Sequence, residues 1–523
     1  MKRMIFVLLC LTMMLSMTIF GVSAQEIAYP SDRQEPSDDA FDAGSAATGV
    51  TLDDPMLVPR IVVTTENGNG TQLLKSDGYV NAEVSVTDID GSVISDACSI
   101  KVRGNTTAFD SVPKKAFAFK FAKKKNLLGM GSGKKWVLLA NCYDPTLLRN
   151  YLAIDMAQTL GLDYTSRQRF VELWLDGSYR GCYTLYTPIQ EGTDRVDIDI
   201  KSNNGKKDFL IELEVDAVEE NTSYFTIESK NRLRFACKDP DDLTDEQLDY
   251  ISGVMNDIVD VLKTGDREQI GQVIDIPSFE KVYLVNEFMK NMDFDATSVY
   301  FYYKDGKLYS GPVWDFDKSS GNTDPTIHAT RALNTYKTDG IMHDQNNLYI
   351  FLGRLPWFVD GVKQLYEEYY DYFENIFADG GTLDSWREEY GELFDRNFTV
   401  FDIKRKWTTY QYTPKPTYEE NYQYFKNWCS ERNSWLHDHW DLFAYEYLRG
   451  DADGNGSVEV FDVTVIQRML TGLKINDPDG YAALRAAAIR EVPSITDATV
   501  LQRYLAMMGN PYDLDVKVKT NLR

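Results

Sequence analysis

Twelve residues near the C-terminus have the composition and spacing of a calcium-binding loop. The segment Asp451–Asp462 has the sequence Asp-Ala-Asp-Gly-Asn-Gly-Ser-Val-Glu-Val-Phe-Asp. Oxygen-bearing side chains stand at loop positions 1, 3 and 5, glycine at position 6, a backbone carbonyl at position 7 and a carboxylate at position 12, as a hard cation with a large coordination shell requires. The predicted ligands of a calcium ion are Asp451, Asp453, Asn455, Ser457 and Asp462.

The helix expected after this loop occurs twice in the sequence. Residues 462–470 and 497–505 are identical at six of nine positions and lie 35 residues apart, which is an internal repeat. Carrying the same offset back through the loop places Ala486, Ala488 and Arg490 at the first three ligand positions. Methyl groups and a guanidinium cannot coordinate a cation, so we predict one calcium site and a metal-free second half.

The two repeats resemble the dockerin modules that anchor secreted enzymes to cohesin-bearing scaffolds in cellulosome-type complexes. The resemblance implies a small all-α domain over residues 449–510, followed by a tail at 511–523. It also implies that the start and middle of both repeated helices contact a cohesin. The residues concerned are Val460, Phe461, Gln467, Arg468, Ile495, Thr496, Gln502 and Arg503. The alternative for the first loop is a solvated Asp- and Gly-rich turn without an ion.

Three aspartates in the middle of the chain could serve phosphoryl transfer. Asp315 and Asp317 lie two residues apart in Trp-Asp-Phe-Asp, and Asp293 stands 22 residues before Asp315, at the end of a predicted helix. Phosphoryl transfer needs carboxylates that hold Mg²⁺, a carboxylate that accepts the hydroxyl proton and a cation near the phosphates. The alternative is that Asp315 and Asp317 cap a turn over a buried Trp314.

Six short segments recur together in one protein family. They are Val102–Thr106, Pro113–Lys115, Lys135–Asn141, Leu148–Ala153, Phe170–Gly177 and Gly311–Asp317. Together they resemble the CotH family, the spore-coat protein H kinase-like proteins, best between Ile100 and Gly321. The resemblance implies an ATP- and Mg²⁺-dependent protein kinase that transfers the γ-phosphoryl group to Ser or Thr hydroxyls of exported or surface proteins.

The same resemblance suggests roles for individual residues. They are Asp293 as catalytic base, Asp315 as leading Mg²⁺ ligand with Asp317 in support, Lys120 and Arg103 as ATP contacts, and Glu212 as the residue that orients the lysine or a metal. Strand alternation puts Ala116, Ala118 and Lys120 on one face of Ala116–Phe121 and three phenylalanines on the other. The family commonly has a further basic residue where Ala118 stands here, and the alternative for Lys120 is a solvated strand residue.

The remainder of the chain has the organisation of an exported protein. A basic start, an apolar run over residues 4–20 and Val-Ser-Ala before Gln25 predict a signal peptide at 1–24, the alternative being an uncleaved anchor. Residues 25–57 form an acidic leader without apolar periodicity. Strands mixed with helices predict an α+β kinase-like domain over 58–445 with a β-rich N-terminal part. We expect a secreted, extracellular protein, associated with a cell surface or a cellulosome.

Bulk composition excludes some classes of function. The net charge of −25 argues against nucleic acid and anionic membranes as partners, because phosphate neutralisation needs a sustained basic surface. Five cysteines remain after signal cleavage, so at least one is unpaired within the chain. The sequence has no G-x-S-x-G motif and four histidines, which argues against serine-triad or zinc hydrolysis. His437 and His439 stand two apart in a predicted helix and should face apart.

Two functions other than a kinase stay open at this level. One is a non-catalytic structural or carbohydrate-interacting component of a cellulosome. The other is a glycoside hydrolase that takes part in polysaccharide degradation, which would need two carboxyl groups about 5 Å or about 6.5–9.5 Å apart across a sugar cleft. The aromatic residues lie in core-like runs rather than on recognisable strand faces, so most are expected in the core.

Overall fold

The computed structural model describes residues 49–202, 206–214, 223–227, 233–325, 335–341, 348–353, 355–408, 410–440, 444–473, 475, 482–486, 493–510 and 512–521. The predicted signal peptide, most of the leader, and Ala488 and Arg490 lie outside these residues. Within them, no helix is both long and apolar enough to cross a membrane.

Seven strands of the N-terminal part form a closed barrel. They are β1 (Arg60–Thr65), β2 (Val80–Thr87), β3 (Val93–Arg103), β4 (Ala116–Asn126), β5 (Ser132–Leu139), β6 (Gln168–Leu175) and β7 (Ser178–Tyr186). Neighbouring strands are antiparallel, and the barrel closes where β1 pairs with β6 in parallel, in the order β1-β2-β3-β4-β5-β7-β6. This β-rich part agrees with the prediction from the sequence.

The interior of the barrel is filled by large side chains from alternating positions. Phe117, Phe119 and Phe121 of β4 are buried inside, with Trp136 of β5 beside them. Lys120, between two of these phenylalanines, is exposed on the outer face. The predicted alternation of β4 is therefore confirmed.

A second sheet follows along the chain and carries part of the candidate site. Its strands are β8 (Phe209–Leu213), β9 (Tyr224–Ile227), β10 (Leu233–Asp239), β11 (Val299–Lys304) and β12 (Lys307–Ser310), in the order β12-β11-β8-β10-β9. The central strand β8 is buried along its whole length. A carboxylate on β8 therefore needs a charged or hydrogen-bonding partner from a neighbouring strand.

Helices enclose the core between and after the strands. They are α1 (Arg149–Thr159), α2 (Asp245–Leu262), α3 (Arg267–Val273), α4 (Ile276–Met289), α5 (Pro356–Glu368), α6 (Tyr370–Phe377), α7 (Thr382–Phe398) and α8 (Tyr418–His439). A buried ion pair, Arg432 to Glu287 at 2.6 Å, joins α8 to α4. His437 packs on Tyr370 and His439 stacks on Trp435, so the two rings contact different aromatic side chains.

The C-terminal module has its own small core. It contains α9 (Val460–Leu470), α10 (Ala482–Ala486) and α11 (Ile495–Leu505), together with the antiparallel strands β13 (Ala444–Leu448) and β14 (Lys517–Asn521). Val463, Ile466 and Leu501 pack together in that core. The prediction of an all-α domain with a loose tail is thus corrected, because the tail pairs with the segment that enters the module and satisfies its backbone hydrogen bonds.

Candidate active site and calcium loop

The loop after β12 presents Asp315 and Asp317 from a fixed backbone. Asp315 adopts a left-handed conformation with φ of 61°, which is uncommon for a residue other than glycine. The amide of Phe316 donates to Asn150 Oδ1 at 2.6 Å, and Asn322 Nδ2 donates to the carbonyl of Asp317 at 2.6 Å. These two amide side chains hold both ends of the Asp-Phe-Asp turn.

Arg149 fixes the continuation of the same loop. Its guanidinium is buried, pairs with Asp144 at 2.5 Å and donates to the carbonyls of Ser319 at 3.1 Å and Ser320 at 3.2 Å. All of these partners are protein groups, so Arg149 positions the loop. Arg149 is therefore a salt-bridged residue at the start of α1.

Asp293 enters the site from a short 3₁₀ helix, Met292–Asp295, which follows α4. Lys290 caps the C-terminus of α4 in a left-handed conformation, with φ of 47°. Asn291 Oδ1 then accepts a hydrogen bond from the amide of Asp293 at 3.2 Å. The amide of Met292 donates to the carbonyl of Lys318 at 3.2 Å. The two segments that carry the aspartates are therefore joined by a backbone hydrogen bond.

The three aspartates and one lysine form a charge cluster in which Asp293 and Asp317 are buried and Asp315 and Lys318 are half-buried. Lys318 Nζ lies 3.2 Å from Asp293 Oδ2. Burial, and then repulsion from Asp293, raise the pKa of Asp315 to about 6, although Lys318 and Arg103 oppose this shift. Burial and repulsion from Asp315 raise the pKa of Asp317 well above its ordinary value. Lys318 loses hydration, but the surrounding carboxylates outweigh that loss and raise its pKa.

One oxygen of the cluster is arranged for a cation. Asp317 Oδ1 is buried, and no hydrogen-bond donor reaches it from any residue the structure describes. A buried carboxylate oxygen without a partner is costly, and hard divalent cations prefer carboxylate oxygens. The unpartnered Asp317 oxygen therefore fits a divalent cation such as Mg²⁺.

A lysine–glutamate pair lies on the second sheet beside this cluster. Glu212 of β8 is buried and pairs with Lys238 of β10 at 2.7 Å. The pKa of Tyr300 is raised first by burial and then by the Glu212 carboxylate, which accepts a hydrogen bond from the Tyr300 hydroxyl. Glu212 also acts electrostatically on Asp315. The site thus combines carboxylates and cations from two parts of the fold.

Comparison with known proteins places the chain in a family. The model described as CotH kinase protein matches residues 100–436, which is more than half of the chain. The chain belongs to the CotH family. A search of curated proteins found no match. The matched span includes every aspartate of the cluster and ends before the C-terminal module.

In this CotH family chain the predicted site residues are only partly brought together. Asp293, Glu212 and Arg103 each act electrostatically on Asp315, and the Arg103 guanidinium lies 5.4 Å from the centre of the Trp314 ring. Lys120 is exposed and pairs in register with Ser99 and Lys135. Arg103 pairs with Ala116. Lys120 lies four residues beyond Ala116 on the same strand, which separates these two positions by about 13 Å.

The sequence patterns did not identify Lys238 and Lys318 as residues of the site. Lys318 directly follows the Trp-Asp-Phe-Asp segment, so its position next to the motif was the available signal. Lys238 stands in Phe-Ala-Cys-Lys-Asp, where nothing local marks it. Only the pairing of β10 with β8, which sets residue 236 opposite Glu212, brings it to the site.

The loop Asp451–Asp462 has the conformation that its spacing predicts. Carboxylate oxygens of Asp451, Asp453 and Asp462 all lie within 4.8 Å of one another. Asp451 accepts the amides of Asn455 at 3.0 Å and Gly456 at 2.7 Å. Burial raises the pKa of Asp462 to about 6 and is the first cause of the raised pKa of Asp451. Calcium would relieve this unfavourable burial of like charges.

The two halves of the module differ at the loop and agree at the helices. Ala486, in the first ligand position of the second half, is buried in the module core. Val460, Phe461 and Ile495 are 71%, 58% and 64% exposed. The other predicted contact residues, Gln467, Arg468, Thr496, Gln502 and Arg503, are exposed as well. The equivalent helix faces are thus both open to a partner.

The charge cluster makes a testable prediction about stability. A carboxyl group with a raised pKa destabilises the fold once it ionises, so the destabilisation is absent near pH 4 and complete above about pH 6. We expect Asp315→Asn to raise the free energy of unfolding by about 1–3 kcal/mol at pH 7.5 in buffer without divalent cations. The gain should disappear at pH 4, as measured by denaturant unfolding.

The control for this experiment is Asp260→Asn, which removes an exposed carboxylate outside the site. It should change the unfolding free energy by less than about 0.5 kcal/mol at either pH. A loss of stability of Asp315→Asn at pH 7.5 would contradict the assignment of Asp315 to a repulsive, buried cluster.

Proposed function

We propose that this CotH family protein is a secreted protein Ser/Thr kinase that uses ATP and Mg²⁺, and that its C-terminal module docks to a cohesin-bearing scaffold. The observation that supports the kinase is the cluster of Asp293, Asp315 and Asp317 beside the Glu212–Lys238 pair. Phosphoryl transfer depends on positioning and electrostatic stabilisation. A cluster with both carboxylates and cations offers the groups required for both.

Asp293 is the residue proposed to accept the proton of the acceptor hydroxyl. It is held by a 3₁₀ helix that Asn291 caps, and Lys318 binds one of its oxygens. The lysine fixes the orientation of the carboxylate, which a general base needs before the acceptor arrives. Lys318 acts here as a positioning residue.

Asp315 and Asp317 are proposed to hold the metal ion. Burial, and then repulsion between carboxylates, raise the pKa of both groups even though Lys318 opposes the shift. A Mg²⁺ ion bound there would neutralise the charge of the transferred phosphoryl group. The Asp317 oxygen that lacks a hydrogen-bond partner is the most direct support for this assignment.

Lys238 and Arg103 are proposed to contact the phosphates of ATP. Lys238 is oriented by Glu212 at 2.7 Å, an arrangement that keeps an ammonium group extended into a site. Arg103 lies over Trp314, next to the carboxylates that would hold the metal. Lys120, suggested by the family resemblance, lies farther along β4 and serves as a discriminating control.

The kinase is tested by incubation with ATP, Mg²⁺ and a mixture of protein acceptors, with phosphoserine and phosphothreonine measured by mass spectrometry. Removal of the proposed base in Asp293→Asn should lower the rate by about 10²–10⁴-fold. Asp315→Ala and Lys238→Ala should lower it by about 10² or more, because each removes an electrostatic contact to the phosphates or metal.

Lys120→Ala is the matched control for Lys238→Ala and should retain the wild-type rate within about twofold, since a solvated strand lysine makes no contact in the transition state. Melting temperatures of all variants check their folding. Absence of both nucleotide binding and phosphoryl transfer in the wild type would favour a non-catalytic scaffold component.

The docking proposal rests on the asymmetric module. One contiguous loop brings together three carboxylates, and two repeated helices expose apolar residues at equivalent positions. Exposed large apolar side chains on a small domain indicate an interaction surface. A cohesin is the partner that the resemblance to dockerins suggests.

The calcium site can be tested by titration calorimetry. We expect one Ca²⁺ per chain, loss of binding in Asp462→Asn and unchanged stoichiometry in Asp497→Asn, the equivalent position of the second half. A chelator should lower the melting temperature of the module only partly, because the second half is held by packing of Leu501 and its neighbours. Complete insensitivity to the chelator would contradict the calcium site.

The docking surface can be tested by retention on immobilised cohesin domains. The wild type should bind at least one cohesin with a Kd of about 1 μM or lower. Phe461→Asp combined with Ile495→Asp should weaken retention at least about tenfold, because a charge replaces an apolar contact in each half. Ile89→Asp, an exposed apolar residue of the barrel, is the control. Failure of every cohesin to retain the wild type would contradict the proposal.

A further inference from the structure

A cavity of about 420 Å³ lies between the loop that follows α1 and the loop that follows β7. Its walls are residues 158–167 and 187–196. None of the lining residues belongs to the carboxylate cluster or to the C-terminal module. The volume falls within the range of small-molecule sites in proteins.

The walls of the cavity are held by hydrogen bonds within the protein. The amide of Thr187 donates to the carbonyl of Arg167 at 3.1 Å, and the amide of Arg167 donates to Thr187 Oγ1 at 2.9 Å. Across the second loop, Arg195 N donates to Gly192 O at 2.9 Å and Gly192 N donates to Val196 O at 3.0 Å. A cavity with fixed walls needs little ordering when a ligand binds.

Arg167 and Asp194 meet at the rim of the cavity. A Cβ atom at Gly131, where φ is 81°, would lie 2.9 Å from Arg167 Nη1 and 2.9 Å from Asp194 Cβ. Glycine at this position therefore makes room for both side chains. Within the described residues, the Arg167 guanidinium forms no hydrogen bond or salt bridge, while Asp194 accepts only the amide of Ser132, at 2.9 Å.

The Arg195 side chain at the cavity is only partly satisfied by protein contacts, because its buried Nε and Nη2 atoms have no hydrogen-bond partner among the described residues. Arg195 is buried, lies 5.0 Å from the centre of the Trp136 ring and donates to the carbonyl of Asp194 at 2.7 Å. Tyr164 accepts from Lys304 Nζ at 2.8 Å, so its hydroxyl is engaged. Tyr164 therefore offers a ring to a ligand, while Arg167 and Asp194 offer hydrogen bonds.

The charges of the lining residues balance. The two negative charges of Asp163 and Asp194 equal the two positive charges of Arg167 and Arg195 in number. The cavity therefore favours neither an anion nor a cation. A neutral ligand that carries both donors and acceptors fits this lining best, because it can donate to carboxylates and accept from a guanidinium. Sugar rings combine such hydroxyl groups with an apolar face that packs on an aromatic ring.

We propose that this cavity binds a neutral sugar, such as one residue of a polysaccharide. Arg167 and Asp194 would bind ring hydroxyls, and Tyr164 would contact the apolar face of the ring. The site is separate from the proposed phosphoryl-transfer residues and does not depend on kinase activity. It would bring the protein to a glycan surface independently of its docking module.

The proposal is tested with the full-length mature chain and D-glucose, D-galactose, D-xylose and N-acetyl-D-glucosamine, measured by titration calorimetry and saturation-transfer NMR. At least one neutral sugar should bind with a Kd of about 1 mM or lower. Arg167→Ala and Asp194→Asn should each weaken that binding about tenfold, because each removes a charge-assisted hydrogen bond. Asp315→Ala, which disables the proposed kinase site, should leave it unchanged.

Matched controls are Arg387→Ala and Asp260→Asn, which remove the same chemical groups elsewhere on the surface and should change the sugar Kd less than about twofold. Inorganic phosphate and L-lysine serve as charged probes. The proposal is overturned if no sugar binds at about 20 mM, if either charged probe binds more tightly than every sugar, or if the controls weaken binding as much as Arg167→Ala does. Unchanged melting temperatures exclude misfolding as the cause.

Discussion

The burial of three carboxylates around one lysine is the constraint on which the candidate active site depends. Asp293 and Asp317 are buried and Asp315 is half-buried. Burial, and then repulsion from neighbouring carboxylates, raise the pKa of Asp315 and Asp317 despite the opposing charge of Lys318. Isolated buried charges are strongly unfavourable. The surrounding fold must therefore hold these groups together at a cost in stability, and that cost would be lowered by a bound cation.

The neighbouring polar contacts show how the fold meets this constraint. Asn150 and Asn322 hold the Asp-Phe-Asp turn, and Arg149 holds the residues that follow it. Asn291 caps the turn that carries Asp293. Each contact is a hydrogen bond to the backbone beside a carboxylate. The three asparagines are neutral, and the charge of Arg149 is paired with Asp144. Rigid support of this kind is what pre-organised electrostatic sites require.

Sequence reasoning groups residues that are close along the chain and misses residues that only strand pairing brings together. The loop Asp451–Asp462 is contiguous, so its spacing already predicts that its carboxylates lie near one another, as they do. Asp315 and Asp317 could be found for the same reason. Lys238 could not, because its partner Glu212 lies on another strand and is reached only through the register of β8 and β10. Lys120 was predicted on the correct face of β4, but the face alone does not fix the distance along a strand.

Two carboxylate clusters in this chain use the same physics with different architectures. In the calcium loop, backbone amides of the loop itself bind Asp451 and Asp462, and burial raises the pKa of both. In the central site, the supporting groups come from α1, the segment after α4 and two strands of the second sheet. A loop that supplies its own supporting amides can therefore exchange ligands without disturbing the contacts between other elements. The central cluster has no such freedom, since its supports are also the contacts that join the elements of the domain.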